Sequence, residues 1–455
     1  MRVALDTHGC RLNQFESEAI ARALDRAGHR LVEGPSAADV YVLNTCTVTG
    51  SADADARKAI RRARRTNPGL AVVVTGCYAT RAADEIAALD GVEMVLGNVD
   101  KDGLVGQLEA VFGRSGPAAR PPAAGARSGP VVSVEALTRF AHLPPALDAT
   151  ARTRAYLKVQ DGCDYRCSFC IVPRVRGPSR SLTVTQAVGQ LRALVAAGRP
   201  EVVLTGVHLG TYGRDLADAS HRVRFSDLVE ALLPHLGRAR LRLSSLDPHE
   251  VDNRLLDLLR HNSARLCPHL HLPMQSGDDE VLRRMRRAHT VADLAELAPR
   301  AVAAVEGLAI GSDIIVGFPG ETEESFARTC ALLEALPLAY LHVFTYSDRD
   351  GTHATTLPDP VPIAERRRRN AVLRELSQRK WTAFRHMCMG QIRSAVVERA
   401  TADGRLEAVT DNYVRVWFDG PTTLIGQRVN VELTGVEAQG AVGRFASSTG
   451  AAPRP

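Results

Sequence analysis

Residues 159–177 read VQDGCDYRCSFCIVPRVRG, and they place three cysteines, Cys163, Cys167 and Cys170, within eight residues. The trio follows a short β-rich run, AYLKV (155–159), the first of six such runs separated by helical stretches. The others are EVVLT (201–205), RLRL (240–243), HLHL (269–272), IGSDIIV (310–316) and YLHVFTY (340–346). Six β–α units predict a full or partial (β/α) barrel, in which loops at the carboxyl ends of the strands build the site. The cysteine loop is therefore the first loop of a barrel mouth.

Thiolates are soft ligands that suit zinc or iron–sulfur clusters. Zinc sites pair their cysteines and complete the set with a second pair; here no fourth cysteine or histidine is near in sequence. A four-iron cube held by three cysteines leaves one iron free. S-adenosylmethionine can chelate that iron and accept an electron, the cofactor carrying the chemistry and the protein the positioning. From spacing alone, an iron–sulfur cluster, a zinc site and plain packing are the three readings.

The first 110 residues repeat a β–α pattern. Strands are expected at RVAL (2–5), DVYVLN (39–44), AVVVTG (71–76) and VEMVL (92–96), with helices at 14–28, 52–65 and 79–89. This predicts a mostly parallel, Rossmann-like sheet covered by helices. Cys10, Cys46 and Cys77 each lie just beyond one of the first three strands. Strand carboxyl ends converge on a ligand crevice in such sheets, so these three predict a second metal centre; the alternative is three small buried hydrophobes. Cys267, Cys330 and Cys388 are expected to pack.

Residues 113–130 are rich in Gly, Pro, Ala and Arg without a period and read as a linker. After a basic helix (364–387) come five short alternating runs, SAVVER, LEAVTDN, YVRVWF, QRVNVEL and GRFA, which predict a small antiparallel barrel, then a disordered tail. The domain division expected is 1–112, a linker at 113–148, a core at 149–387 and a small barrel at 388–448. The run Arg366–Arg369 is read either as a phosphate grip or as a solvated helix face.

The totals constrain less. The chain has 455 residues, too many for one core, and nine cysteines, an odd number. It has no run of 18 apolar residues and no signal-type start, so a cytoplasmic protein without a membrane span is expected. The net charge of +6 suits a polyanion, but arginine so outnumbers lysine that biased codon usage alone accounts for it. Among the loops at the barrel mouth, Asp247 and Gln275 are candidates to bond the polar groups of adenosylmethionine, or to cap the next helices. GFPGETEES (317–325) is weak evidence of a nucleotide, and His208, His269 and His271 are read as core or strand histidines.

The segments HGCRLNQFESE, NTCTVT, GCYA, VQDGCDYRCSFCIVPRVRG, LTGVHLGTYG, HLHLPMQSGDDEVLRRMRR, DIIVGFPGETEESF and NYVRV occur in one order along nearly the whole chain. In these the sequence resembles the methylthiotransferase family of radical S-adenosylmethionine enzymes. The resemblance implies that Cys163, Cys167 and Cys170 hold a radical 4Fe-4S cluster, that Cys10, Cys46 and Cys77 hold an auxiliary 4Fe-4S cluster, and that the small barrel is a TRAM domain gripping RNA. It implies transfer of a methylthio group to an unactivated carbon. One S-adenosyl-L-methionine supplies the methyl, another the radical, and the sulfur passes by way of the auxiliary cluster. An electron donor such as a flavodoxin or ferredoxin is implied too. GCRLNQFESE and LTGVHLGTYG look most like the branch acting on N6-threonylcarbamoyladenosine 3′ of the tRNA anticodon. The isopentenyladenosine branch more often has glutamine-methionine where this chain has Arg11-Leu12, and the branch modifying a ribosomal-protein aspartate typically has proline there. Those two targets, and a non-catalytic zinc-containing RNA-binding protein, are the alternatives. The chain departs from the pattern at Asp247, where glutamate is usual, and at His353, where proline is usual.

Overall fold

Val40–Thr45 and Ala71–Gly76 are buried at every position, as central strands of a parallel sheet covered on both faces must be. The computed structural model describes residues 1–113, 129–147, 152–216 and 223–448. The first sheet has six parallel strands in the order Arg30–Leu31, Arg2–Thr7, Val40–Thr45, Ala71–Gly76, Val92–Leu96, Val131–Ser133. Leu43, Ile60, Val72 and Tyr78 fill one face; Ile20, Leu24, Val42, Val73 and Leu108 fill the other. The helix Gly50–Thr66 starts where Thr49 Oγ1 accepts from the Ala52 amide at 3.2 Å. The helix expected at 79–89 is two short ones, Cys77–Arg81 and Ala83–Ala87, broken at Ala82. Val131–Ser133 falls inside the stretch expected to be linker and pairs with Val92–Leu96 as the sixth strand. Residues 114–128 of that stretch, and the tail from 449 on, lie outside the described residues.

The second unit carries six parallel strands in chain order, within two three-stranded sheets. Arg154–Lys158, Glu201–Thr205 and Arg240–Leu243 form one; His269–His271, Ala309–Val316 and Tyr340–Thr345 form the other. A bridge between Leu241 and Leu266, and the Leu246 amide on the His271 carbonyl at 3.0 Å, join them. Among the described residues the first and last strands do not pair, so the barrel is partial. One large apolar core, from Leu157 through Leu204, Leu243 and Leu270 to Ile310, lies between these strands and their helices.

The helix Ile363–Met387 then leads into a closed five-stranded barrel. Its strands are ordered Ile392–Ala400, Leu406–Thr410, Arg415–Phe418, Gly440–Ser448, Arg428–Glu437. The expected antiparallel barrel holds for four of its five pairings; Arg415–Phe418 and Gly440–Ser448 run parallel. The run Arg366–Arg369 meets neither expectation in full. Arg366 and Arg369 are buried, Arg369 against Glu321 at 2.6 Å and Glu365 at 2.8 Å, while Arg368 pairs with Glu323 at 2.7 Å. Two of its four cations thus face inward because acidic partners wait there.

The small barrel is fastened to the partial barrel through a buried carboxylate. Glu201 accepts from Arg240 Nε and Arg242 Nε, both at 2.7 Å. The outer nitrogens of the same guanidiniums donate to main-chain carbonyls of the small barrel: Ser394 at 2.8 Å, Val409 at 3.0 Å, Thr410 and Asp411 at 2.9 Å. Cys267 packs beside this knot, fully buried, as expected. Burial works against the Glu201 charge, but Arg242, Arg240 and Arg154 hold the carboxyl well below its usual range. A depressed carboxyl stabilises the fold fully above its unfolded pKa of about 4.3, and that stabilisation is lost as the pH falls toward the folded value. Glu201→Gln is expected to lower stability at pH 7 by about 3–5 kcal/mol, because two buried arginines lose their counter-charge. In urea unfolding the gap to the unsubstituted protein should be constant from pH 7 to 5 and narrow below about pH 4.3.

Candidate metal centres and the interface between them

Cys163, Cys167 and Cys170 occupy the loop after Arg154–Lys158, as expected for a barrel mouth. The loop is shaped by close main-chain approach. The Cys163 amide donates to the Gly177 carbonyl at 3.0 Å and the Cys170 amide to the Cys167 carbonyl at 3.1 Å. Gly162 has φ +73°, and a Cβ there would collide with the Pro178 carbonyl.

Charged groups point at two of these sulfurs. Arg287 Nη1 donates to Cys167 Sγ at 3.3 Å, and His208 Nδ1 lies 3.5 Å from Cys163 Sγ. His208 Nε2 lies 2.8 Å from Glu250 Oε2, and Tyr165 donates to Glu250 Oε1 at 3.1 Å. Burial works against a charge on His208, but its bonds to Cys163 and Glu250 and the nearby Asp247 push it up to about 10. As an imidazolium it has no lone pair for a metal and acts as a donor to sulfur, the outer-ring role that orients and tunes thiolate ligands. Sequence reasoning took His208 for a core histidine; the signal that would have found it is GVHLGTYG at a strand end opposite the cysteine loop.

Asp247 stands at the start of the turn Pro248–Glu250. Its amide donates to Glu250 Oε2 at 3.2 Å and its carboxylate Oδ1 accepts from Arg287 Nη2 at 2.5 Å. Its Oδ2 is buried with no hydrogen-bond partner, as is Arg287 Nε. These are polar atoms of the kind a bound polar cofactor satisfies. Gln275 is held at φ +75° by main-chain bonds to Asp313 and Ile315, and its side chain makes no hydrogen bond among the described residues. Strained backbone of this kind is found at ligand sites. His269 and His271 lie within the barrel on the Tyr340 hydroxyl, at 2.8 and 3.3 Å. His353 begins a short turn, His353–Thr356, whose Ala354 amide donates to the Ser168 carbonyl at 2.7 Å, between Cys167 and Cys170.

Cys10, Cys46 and Cys77 lie at the carboxyl ends of three adjacent strands, so the sheet order brings them together. Gly9 has φ +103°, and a Cβ there would sit 2.5 Å from Cys46 Cβ. Asn13 clamps the two loops, donating to the His8 carbonyl at 2.7 Å and the Thr45 carbonyl at 2.9 Å. Burial, with Cys77 and Cys10 close by, pushes the Cys46 thiol up to about 11. In the other trio, burial and its two neighbouring thiols push Cys170 up to about 12. Metal binding at Cys46 and Cys170 must therefore displace their protons.

Cys77 meets the segment after Cys170 across the domain interface. Cys77 packs on Ile171 and Val175, the residues just after Cys170, and Asn98 Nδ2 reaches both Cys77 Sγ at 3.5 Å and the Val175 carbonyl at 2.7 Å. Beside this contact lies a buried ion cluster. Glu16, on the helix that begins after Cys10, bonds Lys101 at 2.5 Å, Lys158 at 3.0 Å and Arg176 at 2.9 Å. Asp161 bonds Lys158 at 2.6 Å and Arg176 at 3.1 Å. A second strut comes from the SDRDG loop: Arg349 binds Asp53 at 2.6 Å, and Arg81 binds the same carboxylate at 2.7 Å. That loop, residues 347–351, holds the cysteine-bearing domain in place.

Six soft donors in two sets of three, each beside buried groups able to donate to sulfur, fit iron–sulfur clusters. Residues 2–97 match the family described as "Uncharacterized protein family UPF0004", and residues 157–333 match the "Radical SAM superfamily". The chain is 37% identical over 438 residues to "Threonylcarbamoyladenosine tRNA methylthiotransferase MtaB" of Bacillus subtilis, covering 95% of this chain and 93% of that one. It is 32% identical to "tRNA-2-methylthio-N(6)-dimethylallyladenosine synthase" of Chromobacterium violaceum, covering 95% and 96%. In fold it resembles the radical S-adenosylmethionine methyltransferase TsrM of Kitasatospora setae, with a TM-score of 0.52, 17% identity, and coverage of 75% and 72%. With such likeness along nearly its whole length, the chain belongs to the methylthiotransferase family of the radical SAM superfamily.

Proposed function

We propose that this protein attaches a methylthio group to carbon 2 of N6-threonylcarbamoyladenosine beside the tRNA anticodon. The observation that carries the proposal is the contact of Cys77 with Ile171 and Val175, which brings the N-terminal set against the segment that follows Cys170. The naming of five relatives, 31–37% identical, for that nucleoside supports the substrate. Cys163, Cys167 and Cys170 hold one 4Fe-4S cluster, and Cys10, Cys46 and Cys77 the other. With S-adenosylmethionine bound, the clusters supply one-electron cleavage of the cosubstrate and a route for sulfur.

The chain's own residues do the rest. Arg287 and His208 donate to the thiolates of the first set and offset their negative charge. Asp247 Oδ2 and the Gln275 side chain bond polar groups of the cosubstrate. Ile171 and Val175 keep water from the space between the two sets. The small barrel holds the RNA backbone, and an anticodon-loop base, already unpaired, is splayed into the interface. An external donor of the flavodoxin or ferredoxin class supplies electrons. Among the described residues no helix is long and apolar enough to cross a membrane.

Protein purified without oxygen should contain about eight irons and eight sulfides per chain, and Cys163→Ala and Cys46→Ala about four of each. A colourless, zinc-loaded protein would overturn the cluster assignment. In a strain lacking the gene, mass spectrometry of tRNA nucleosides should show loss of the 2-methylthio derivative of threonylcarbamoyladenosine, restored by the unsubstituted gene and not by Cys163→Ala. Loss of the isopentenyladenosine derivative instead would move the substrate assignment.

A further inference from the structure

A cavity of about 390 Å3 opens where the N-terminal domain, the interior of the partial barrel and the small barrel meet. That size suits a small ligand or one substituent of a larger one (~300–1,000 Å3). Its wall is mostly basic and aromatic, with one carboxylate, Glu398, which is paired with Arg154. Arg154 and Tyr156 come from the first barrel strand, Arg242 from the third, Arg11 from the helix after Cys10, and Tyr413 from the small barrel.

The arginines are not equivalent. Arg152 binds Glu18 at 3.1 Å, Arg154 binds Glu398 at 2.7 Å, and Arg242 binds Glu201 at 2.7 Å. Arg11 reaches only hydroxyls: Tyr413 Oη at 3.0 Å and Ser244 Oγ at 3.4 Å. Among the described residues no carboxylate lies within ion-pair distance of it. A half-buried guanidinium aimed into a cavity, without a counter-charge, is a site for a planar anion, which it can bind through two parallel N–H bonds. Tyr413, which fixes Arg11, is itself held at φ +74°, a costly conformation for a tyrosine that is met at ligand sites. The Arg242 guanidinium lies 5.3 Å from the centre of the Tyr413 ring and braces it. Arg11 directly follows Cys10, so an anion held here lies within reach of the cysteine interface.

The threonylcarbamoyl substituent ends in a free carboxylate, whereas a dimethylallyl substituent is pure hydrocarbon. We propose that Arg11, steadied by Tyr413 and Ser244, binds the carboxylate of the threonylcarbamoyl group and so selects that nucleoside. This rests on the substrate reading above. A hydrocarbon substituent in the same cavity would leave the guanidinium desolvated and unpaired, so it is rejected more strongly than loss of one contact would suggest.

The test uses the full chain with its clusters and three anticodon stem-loop RNAs. One carries threonylcarbamoyladenosine, one the same nucleoside with its carboxylate converted to the primary amide, and one unmodified adenosine. Fluorescence anisotropy gives the affinities. The unsubstituted protein should bind the carboxylate RNA about 10–100-fold more tightly than the amide RNA. Arg11→Ala should erase that difference while its affinity for the unmodified RNA stays unchanged, which also reports that it has folded. Arg11→Lys should keep part of the difference, as a point charge without the fork. In turnover on the carboxylate RNA, Arg11→Ala should raise KM more than it lowers kcat. If Arg11→Ala keeps the full carboxylate preference, or if the unsubstituted protein prefers both modified RNAs equally, the proposal is overturned and the substrate reading stands. If the unsubstituted protein does not distinguish the carboxylate RNA from unmodified RNA and does not methylthiolate it, the substrate reading itself fails.

Discussion

Five charges buried at one seam govern this molecule. Glu16, Asp161, Lys101, Lys158 and Arg176 come from segments on both sides of the boundary between the parallel domain and the partial barrel. Taking such ions out of water costs several kcal/mol each, so they persist only while every partner is present and well aligned. Asn13 adds to the alignment by accepting from Arg176 at 2.7 Å. Glu16 lies six residues beyond Cys10, and Arg176 six residues beyond Cys170. Satisfying the ions therefore fixes the two cysteine loops relative to each other, and neither domain can shift without exposing an uncompensated charge.

Much of this architecture was legible in the order of residues. The six barrel strands and four of the six strands of the first sheet announced themselves as short runs that are either apolar or alternate apolar with polar residues. The cysteines did so by spacing and by recurring just past strand ends. What was hidden depends on partners distant in sequence. Val131–Ser133 is three residues long, and only its pairing with Val92–Leu96 makes it a strand. The parallel closing pair of the small barrel follows from closure, which no local pattern records. The Arg366–Arg369 run looked like a solvent-facing or phosphate-facing cluster because Glu321 and Glu323, its partners, are more than forty residues away. Asp247 was read as a cofactor or capping residue; its carboxylate is taken on one side by Arg287, and only the other oxygen is left over.

The environment of the cysteines differs between the two sets in a way that suits different tasks. His208 and Arg287 bring cationic donors to the sulfurs of the barrel loop. In the N-terminal set Cys46 and Cys77 are buried, Cys10 is exposed, and the one side-chain donor to sulfur among the described residues is the neutral Asn98. Hydrogen bonds and positive charge near sulfur raise a cluster's reduction potential; Arg176 and Lys101 lie near Cys77 as well, but without a hydrogen bond to its sulfur. The protein thus sets two unlike electrostatic environments within one interface.

The grip of Arg240 and Arg242 on the small barrel has a consequence of its own. What they hold is chiefly peptide carbonyls, of Ser394, Val409, Thr410 and Asp411, with the Ser394 hydroxyl and the Tyr413 ring as side-chain partners. Every residue type presents the same oxygen, so residues on the outer surface of that module can be changed without touching these bonds. The joint therefore tolerates change in the outward-facing residues of the module, whereas the seam of five ions permits no such freedom.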